Sequence, residues 1–164
     1  MIGLRVVVAV FAVWIAAGNG TAGAAGSAAS AGASRYLPDP RLTPGAVIST
    51  HTADICVLGY DRAHRVWHDK AGTLAKYGIP QSAAGQFEDD DLVPVCLGGA
   101  NADPANHWAQ PNAGQWAAAD KDILEKQVCT EICLTRDDAQ LAKYQAAFAK
   151  DWVALYRQVI VGKR

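Results

Sequence analysis

The strongest pattern lies near the end of the chain. Leu141, Tyr144, Phe148, Trp152, Leu155 and Val159 follow one another at steps of 3 or 4 residues. That spacing covers one side of an α-helix and predicts roughly 23 residues of helix with the stripe in the core. Ahead of it, Thr135-x-x-Asp138 resembles a capping box with Asp in place of Glu. Asp137 and Asp138 suit the helix's positive end, and Arg157, Lys163 and Arg164 the negative one. A weaker apolar side formed by Trp116, Ile123, Leu124 and Val128 predicts a helix from about Gly114 to Val128. Lys70 to Tyr77 reads as a short helix closed by Gly78 and stopped by Pro80.

The remaining apolar runs are short. Leu92-Val93 and Val95-Cys96-Leu97 are strand-like, but Pro94 forbids a regular central strand and Gly98-Gly99 marks a turn. The expectation is a small β-hairpin or β-loop, then a loop ending at Trp108. Asp54 to Tyr60 reads as a strand or a buried loop, which Arg65-Val66-Trp67 continues. Tyr36 to Gly45 reads as an extended arm, and Gln81 to Gln86 as a polar loop. Few short strands and two closing helices predict the α+β class. Trp67 and Trp108 are expected in the core.

The front end has a different pattern. Arg5 precedes an apolar run from Val6 to Ala17, then a tract rich in Ala, Gly and Ser to Ser34. The run is too short for a comfortable membrane span and has the length of a signal h-region. Residues 1–33 are therefore expected to be a signal peptide and flexible tract, and 34–164 one domain. The expected location is secreted or periplasmic, with no stable membrane anchor. The chain has 15 Lys+Arg and 16 Asp+Glu; without Arg5 the balance is 14 − 16 = −2. That excludes a strongly basic nucleic-acid binder, so any such contact must come from a local patch.

Cys56, Cys96, Cys129 and Cys133 make an even count in a chain expected to be exported, which predicts two disulfides. A four-thiolate zinc site is disfavoured because no C-x-x-C pair is present. Three pairings are open on spacing alone.

Between Phe87 and Pro111 lie an acidic cluster, the β-element, a Gly-Gly turn and Asn106, followed by a helix carrying Asp122 and Glu125. This order resembles the ββα-metal, or HNH, nuclease module. Asp54-Ile-Cys-Val-x-Gly-Tyr60, Leu74-Ala-Lys-Tyr-Gly78, Asp91-Leu-Val-Pro with Leu97-Gly-Gly99, and Asp103-Pro-x-Asn-x-Trp108 extend the likeness. So do Lys121-Asp-x-Leu-Glu125, Val128-Cys129 and Asp151-Trp-Val-Ala-x-Tyr156. The chain is similar in this order to small exported bacterial proteins with an HNH nuclease-like core. The resemblance implies a ββα module packed against the two closing helices, and metal-dependent phosphodiester hydrolysis of DNA or RNA. It assigns Asp90 as a metal ligand, Glu125 or Asp122 as the helix-borne ligand, and Mg²⁺ or Mn²⁺ rather than Zn²⁺ as the ion. It assigns Asn106 to tying the loop together or orienting the base. It also implies Cys56–Cys129 and Cys96–Cys133 as the disulfide pairs.

One departure divides the reading. The family has Asp-His where this chain has Asp90-Asp91, and a carboxylate is a poorer base than imidazole at neutral pH. Asp91 is left to act as base or extra ligand, and His107 is the nearest candidate to replace the missing imidazole. The two expectations are a nuclease, impaired or not, and a catalytically inactive exported domain that keeps the scaffold for binding or structure. The blander reading of Glu88–Asp91 is a solvated acidic turn. His51, His64 and His68 are expected to be surface or capping residues.

Overall fold

The computed structural model describes residues 36–162. The expected signal peptide and small-residue tract lie outside the described residues. The fold is α+β. In chain order it has α1 (Thr52–Ile55), α2 (Tyr60–His64), α3 (Lys70–Lys76), β1 (Phe87–Asp91), β2 (His107–Pro111), α4 (Ala118–Thr135) and α5 (Asp138–Tyr156). A 3₁₀ turn at Gln81–Gln86 precedes β1, another at Val95–Leu97 follows it, and a π-helical turn at Arg157–Val161 ends the described chain.

The strands are not the apolar runs. The acidic segment itself forms β1 and pairs antiparallel with β2, with Asp91 opposite His107, Asp90 opposite Trp108 and Asp89 opposite Ala109. Leu92–Leu97 instead folds into a buried turn. Pro94 has no N–H for a ladder, and Gly99 must pass close under the Val93 carbonyl. An acidic strand is tolerated because alternate side chains reach partners on opposite faces, described below. Asp54 to Tyr60, read as a strand or buried loop, is α1 and the turn into α2.

The stripe Leu141, Tyr144, Phe148, Trp152, Leu155 and Val159 is buried throughout. It packs with Leu92, Val93, Leu97, Trp108, Leu124, Val128 and Ile132 in one apolar core. The helix is interrupted inside the stripe. Asp151 leaves helical geometry (φ −165°, ψ 86°), and its Oδ1 accepts the Ala154 N–H at 2.9 Å, capping the last segment. The capping box does not form: Thr135 is the last residue of α4, and Asp137 caps α5, accepting from Ala139 and Gln140 N–H. Asp138 reaches instead to α1, accepting from Thr52 N and Oγ1, both at 2.7 Å. The first closing helix starts at Ala118, four residues later than the expected Gly114, because Trp116 takes a positive φ of 63°. It ends past Val128, at Arg136 with φ 56°. Trp108 is in the core, whereas Trp67 is 86% exposed.

Both disulfides are present, with the pairing exchanged relative to the one the resemblance implied: Cys56–Cys133 and Cys96–Cys129. Cys129 and Cys133 lie one turn apart on α4, so the docking of their partners decides. α1 sits at the C-terminal end of α4, where Arg136 Nη2 donates to the Cys56 carbonyl at 2.9 Å, placing Cys56 against Cys133. The Val95–Leu97 turn packs one turn earlier, against Cys129. Two disulfides fit an oxidising compartment outside the cytoplasm. No helix among the described residues is long and apolar enough to cross a membrane.

Candidate metal centre

Strand alternation sorts the expected site residues onto two faces. On one face, Asp90 meets α4. The Lys121 side chain is fully buried, and its Nζ donates to Asp90 Oδ2 at 2.6 Å, to the Asp91 carbonyl at 2.6 Å and to Glu125 Oε1. Burial alone would lower the Lys121 pKa, but the charges of Asp90 and Glu125 outweigh it and raise it. Burial pushes Glu125 up to about 7, against the attraction of Lys121 and with the repulsion of Asp90. Asp90 and Glu125 are thus brought together, but around an ammonium. A divalent cation there would face an adjacent fixed positive charge, so this donor set does not suit one. Asp122 lies beside Glu125 in a shallow groove with Asp61, Arg65 and Cys96, away from the histidines.

On the other face, Asp91 and His107 stand opposite each other across the ladder, and His68 arrives from the segment before α3. The two imidazoles stack, with centroids 3.9 Å apart. One ligand atom from each of His68, Asp91 and His107 falls within 4.8 Å of the others. His107 Nε2 is 3.8 Å from Asp91 Oδ1. Two imidazoles and a carboxylate form a donor set known for divalent transition metals and zinc.

Two asparagines hold this face in place. Asn106 is fully buried. Its Nδ2 donates to Asp91 Oδ1 (3.1 Å) and the Val93 carbonyl (2.9 Å), and its Oδ1 accepts the Val93 N–H at 2.9 Å. It therefore ties the loop and positions Asp91 at once. Asn101 is oriented by the Val66 N–H, which donates to its Oδ1 at 2.5 Å. Its Nδ2 then donates to both His68 Nε2 and Asp91 Oδ2, each at 2.6 Å. Burial raises the Asp91 carboxyl above its ordinary range, opposed by the Asn101 hydrogen bond.

His107 also lines a cleft of about 350 Å³ with Trp67, Thr73, Lys76 and Pro104, so the buried centre has an open side. Sequence reasoning placed His68 on the surface and gave Lys121 and Asn101 no role. His68 lies in an extended stretch without periodicity, and its partners are more than twenty residues away. The acidic alternation of β1 was the one available signal, since Asp89 and Asp91 must share a face if the segment is a strand.

No family model, curated protein or solved structure matches this chain.

Proposed function

We propose that this chain is an exported, metal-dependent phosphodiester hydrolase of HNH-like kind whose cation is held by His68, Asp91 and His107. The reading is carried by the meeting of these three donors within 4.8 Å beside an open cleft. A bound cation would supply Lewis acidity and charge neutralisation at a phosphate. The imidazole donors favour Zn²⁺ over Mg²⁺ or Mn²⁺, a shift from the ions that the resemblance implied. Asn106 and Asn101 fix the Asp91 carboxylate beside the two imidazoles. Trp67, exposed on the cleft wall, offers a face on which a base can stack. With a net charge near −1, nucleic acid would be gripped by the cleft rather than by the protein's overall field.

A second reading, an inactive domain, draws support from Asn101. Its amide bridges His68 and Asp91 and satisfies both without a metal. Plasmid nicking by the oxidised domain separates the two, run with Zn²⁺, Mn²⁺, Mg²⁺ or EDTA beside Asp91→Ala and His107→Ala. The hydrolase reading expects cleavage that needs metal and fails in both variants. Metal binding without cleavage supports the inactive domain, and absence of both overturns the metal centre.

A further inference from the structure

Asp89 lies on the same strand face as Asp91, and its side chain is 4% exposed. Its Oδ2 accepts the Thr73 hydroxyl at 2.9 Å, while its Oδ1 has no hydrogen-bond partner. Two imidazole nitrogens lie near this orphaned oxygen: His107 Nδ1 at 3.9 Å and His68 Nδ1 at 4.0 Å. The rings present their other nitrogens, Nε2, toward Asp91 and Asn101. The stacked pair thus spans two carboxylates two residues apart on one strand.

The hydrogen bonds define the tautomers. His107 Nε2 is 2.6 Å from the Asn101 carbonyl, which only accepts, so in the neutral ring Nε2 carries the proton and Nδ1 the lone pair. That nitrogen lies on the side of the Asp89 Oδ1, 3.9 Å away and beyond hydrogen-bond reach. His68 Nε2 accepts from Asn101 Nδ2, so its Nδ1 carries the proton, which is directed to the Asp89 backbone carbonyl at 3.4 Å. The Asp89 Oδ1 therefore stands without a hydrogen-bond donor while an imidazole nitrogen lies 3.9 Å away.

We propose that Asp89 is the positioning carboxylate of the metal centre, whose Oδ1 accepts the Nδ1–H of His107, with His68 beside it, when a cation takes the Nε2 side. The inference rests on the cation lying at His68, Asp91 and His107. A metal at His107 Nε2 displaces the proton there, and the neutral ring carries it at Nδ1 instead. The orphaned oxygen then gains its donor. A carboxylate behind a ligating imidazole fixes the ring and raises its basicity, and losing such a partner weakens metal affinity by about 10–100-fold.

The test is zinc binding by native protein and by Asp89→Asn, followed by calorimetry, with the tautomers read from ¹⁵N-labelled histidine by long-range ¹H–¹⁵N correlation. The expected result is that zinc moves the His107 proton from Nε2 to Nδ1 in the native protein. Asp89→Asn should bind zinc about 10–100-fold more weakly while melting in EDTA no lower than native. Equal zinc affinity in the variant would overturn the positioning role and leave the metal centre standing. Ligation through Nδ1 would also overturn it, by making Asp89 a direct neighbour of the ion. Absence of zinc binding by native protein would sink the centre and this inference with it. The native tautomer measurement stands even if the variant fails to fold.

Discussion

Asp90 and Asp91 are adjacent in the chain and face opposite sides of a two-stranded sheet. Asp90 closes an ion pair with the buried Lys121, and Asp91 joins the two stacked imidazoles. Their replacement should therefore have different consequences. Asp90→Ala leaves a buried ammonium with Glu125 as its remaining adjacent carboxylate and the Asp91 carbonyl as a neutral acceptor. It is expected to cost on the order of 2–3 kcal/mol of stability, below the usual cost of a broken buried pair because one carboxylate remains. Zinc affinity should hardly change. Asp91→Ala should abolish zinc binding. Denaturant unfolding and zinc titration of both variants check the assignment; loss of zinc in Asp90→Ala would return Asp90 to the metal.

The closing helices and their stripe were legible because a 3.6-residue period needs no partner to be recognised. The α+β class followed from the same patterning, and the presence of two disulfides from the even cysteine count. The strands were not legible. Three consecutive aspartates read as a solvated turn until Lys121, thirty-one residues away from Asp90, supplies the countercharge. The disulfide pairing failed for a related reason. Cys129 and Cys133 share a helix face, and only the docking of α1 at the end of α4 selects between them. His68 and Asn101 carry no local signal, since their role depends on contacts thirty-three residues apart.

Glu125 gives the stability a pH dependence. One ammonium serves two carboxylates, so burial and Asp90 hold Glu125 up to about 7, against an ordinary Glu near ~4.3. Lys121, Asp90, Asp122 and Arg65 are the charges around it. A raised acid binds its proton more tightly in the folded state. Its contribution is therefore most favourable below about pH 4 and is lost as pH rises toward about 7. Melting temperatures across roughly pH 5–8 should fall more steeply for native protein than for Glu125→Gln, which keeps the shape without the titration. Parallel curves would show that Glu125 ionises normally.

The disulfide pairing has a direct chemical test. Proteolysis without reduction, followed by mass spectrometry, should recover Cys56 with Cys133 and Cys96 with Cys129. Paired Ser replacements should each lower stability by roughly 3.5–4.5 kcal/mol, with the 77-residue closure worth more than the 33-residue one. Recovery of Cys56 with Cys129 would mean that α1 docks one turn earlier on α4.

Gly99 links the turn to the candidate metal centre. A Cβ built there would lie 1.8 Å from the Val93 carbonyl oxygen and 2.8 Å from that of Pro94, both backbone atoms with little room to move. The Val93 carbonyl is also an acceptor for Asn106, whose amide positions Asp91. A methyl group at position 99 must therefore push apart the loop that Asn106 ties. Gly99→Ala is expected to destabilise the fold by at least about 2 kcal/mol and to weaken zinc binding together with it. Gly85 provides the control: a Cβ there meets nothing within 4 Å, and its φ is not positive. Gly85→Ala should be neutral or stabilise slightly by restricting the unfolded chain. If Gly99→Ala is destabilised yet binds zinc with native affinity, the Asn106 clamp holds the loop without positioning Asp91. If it is as stable as Gly85→Ala, the turn is free to shift, and the close approach at Gly99 does not constrain the site.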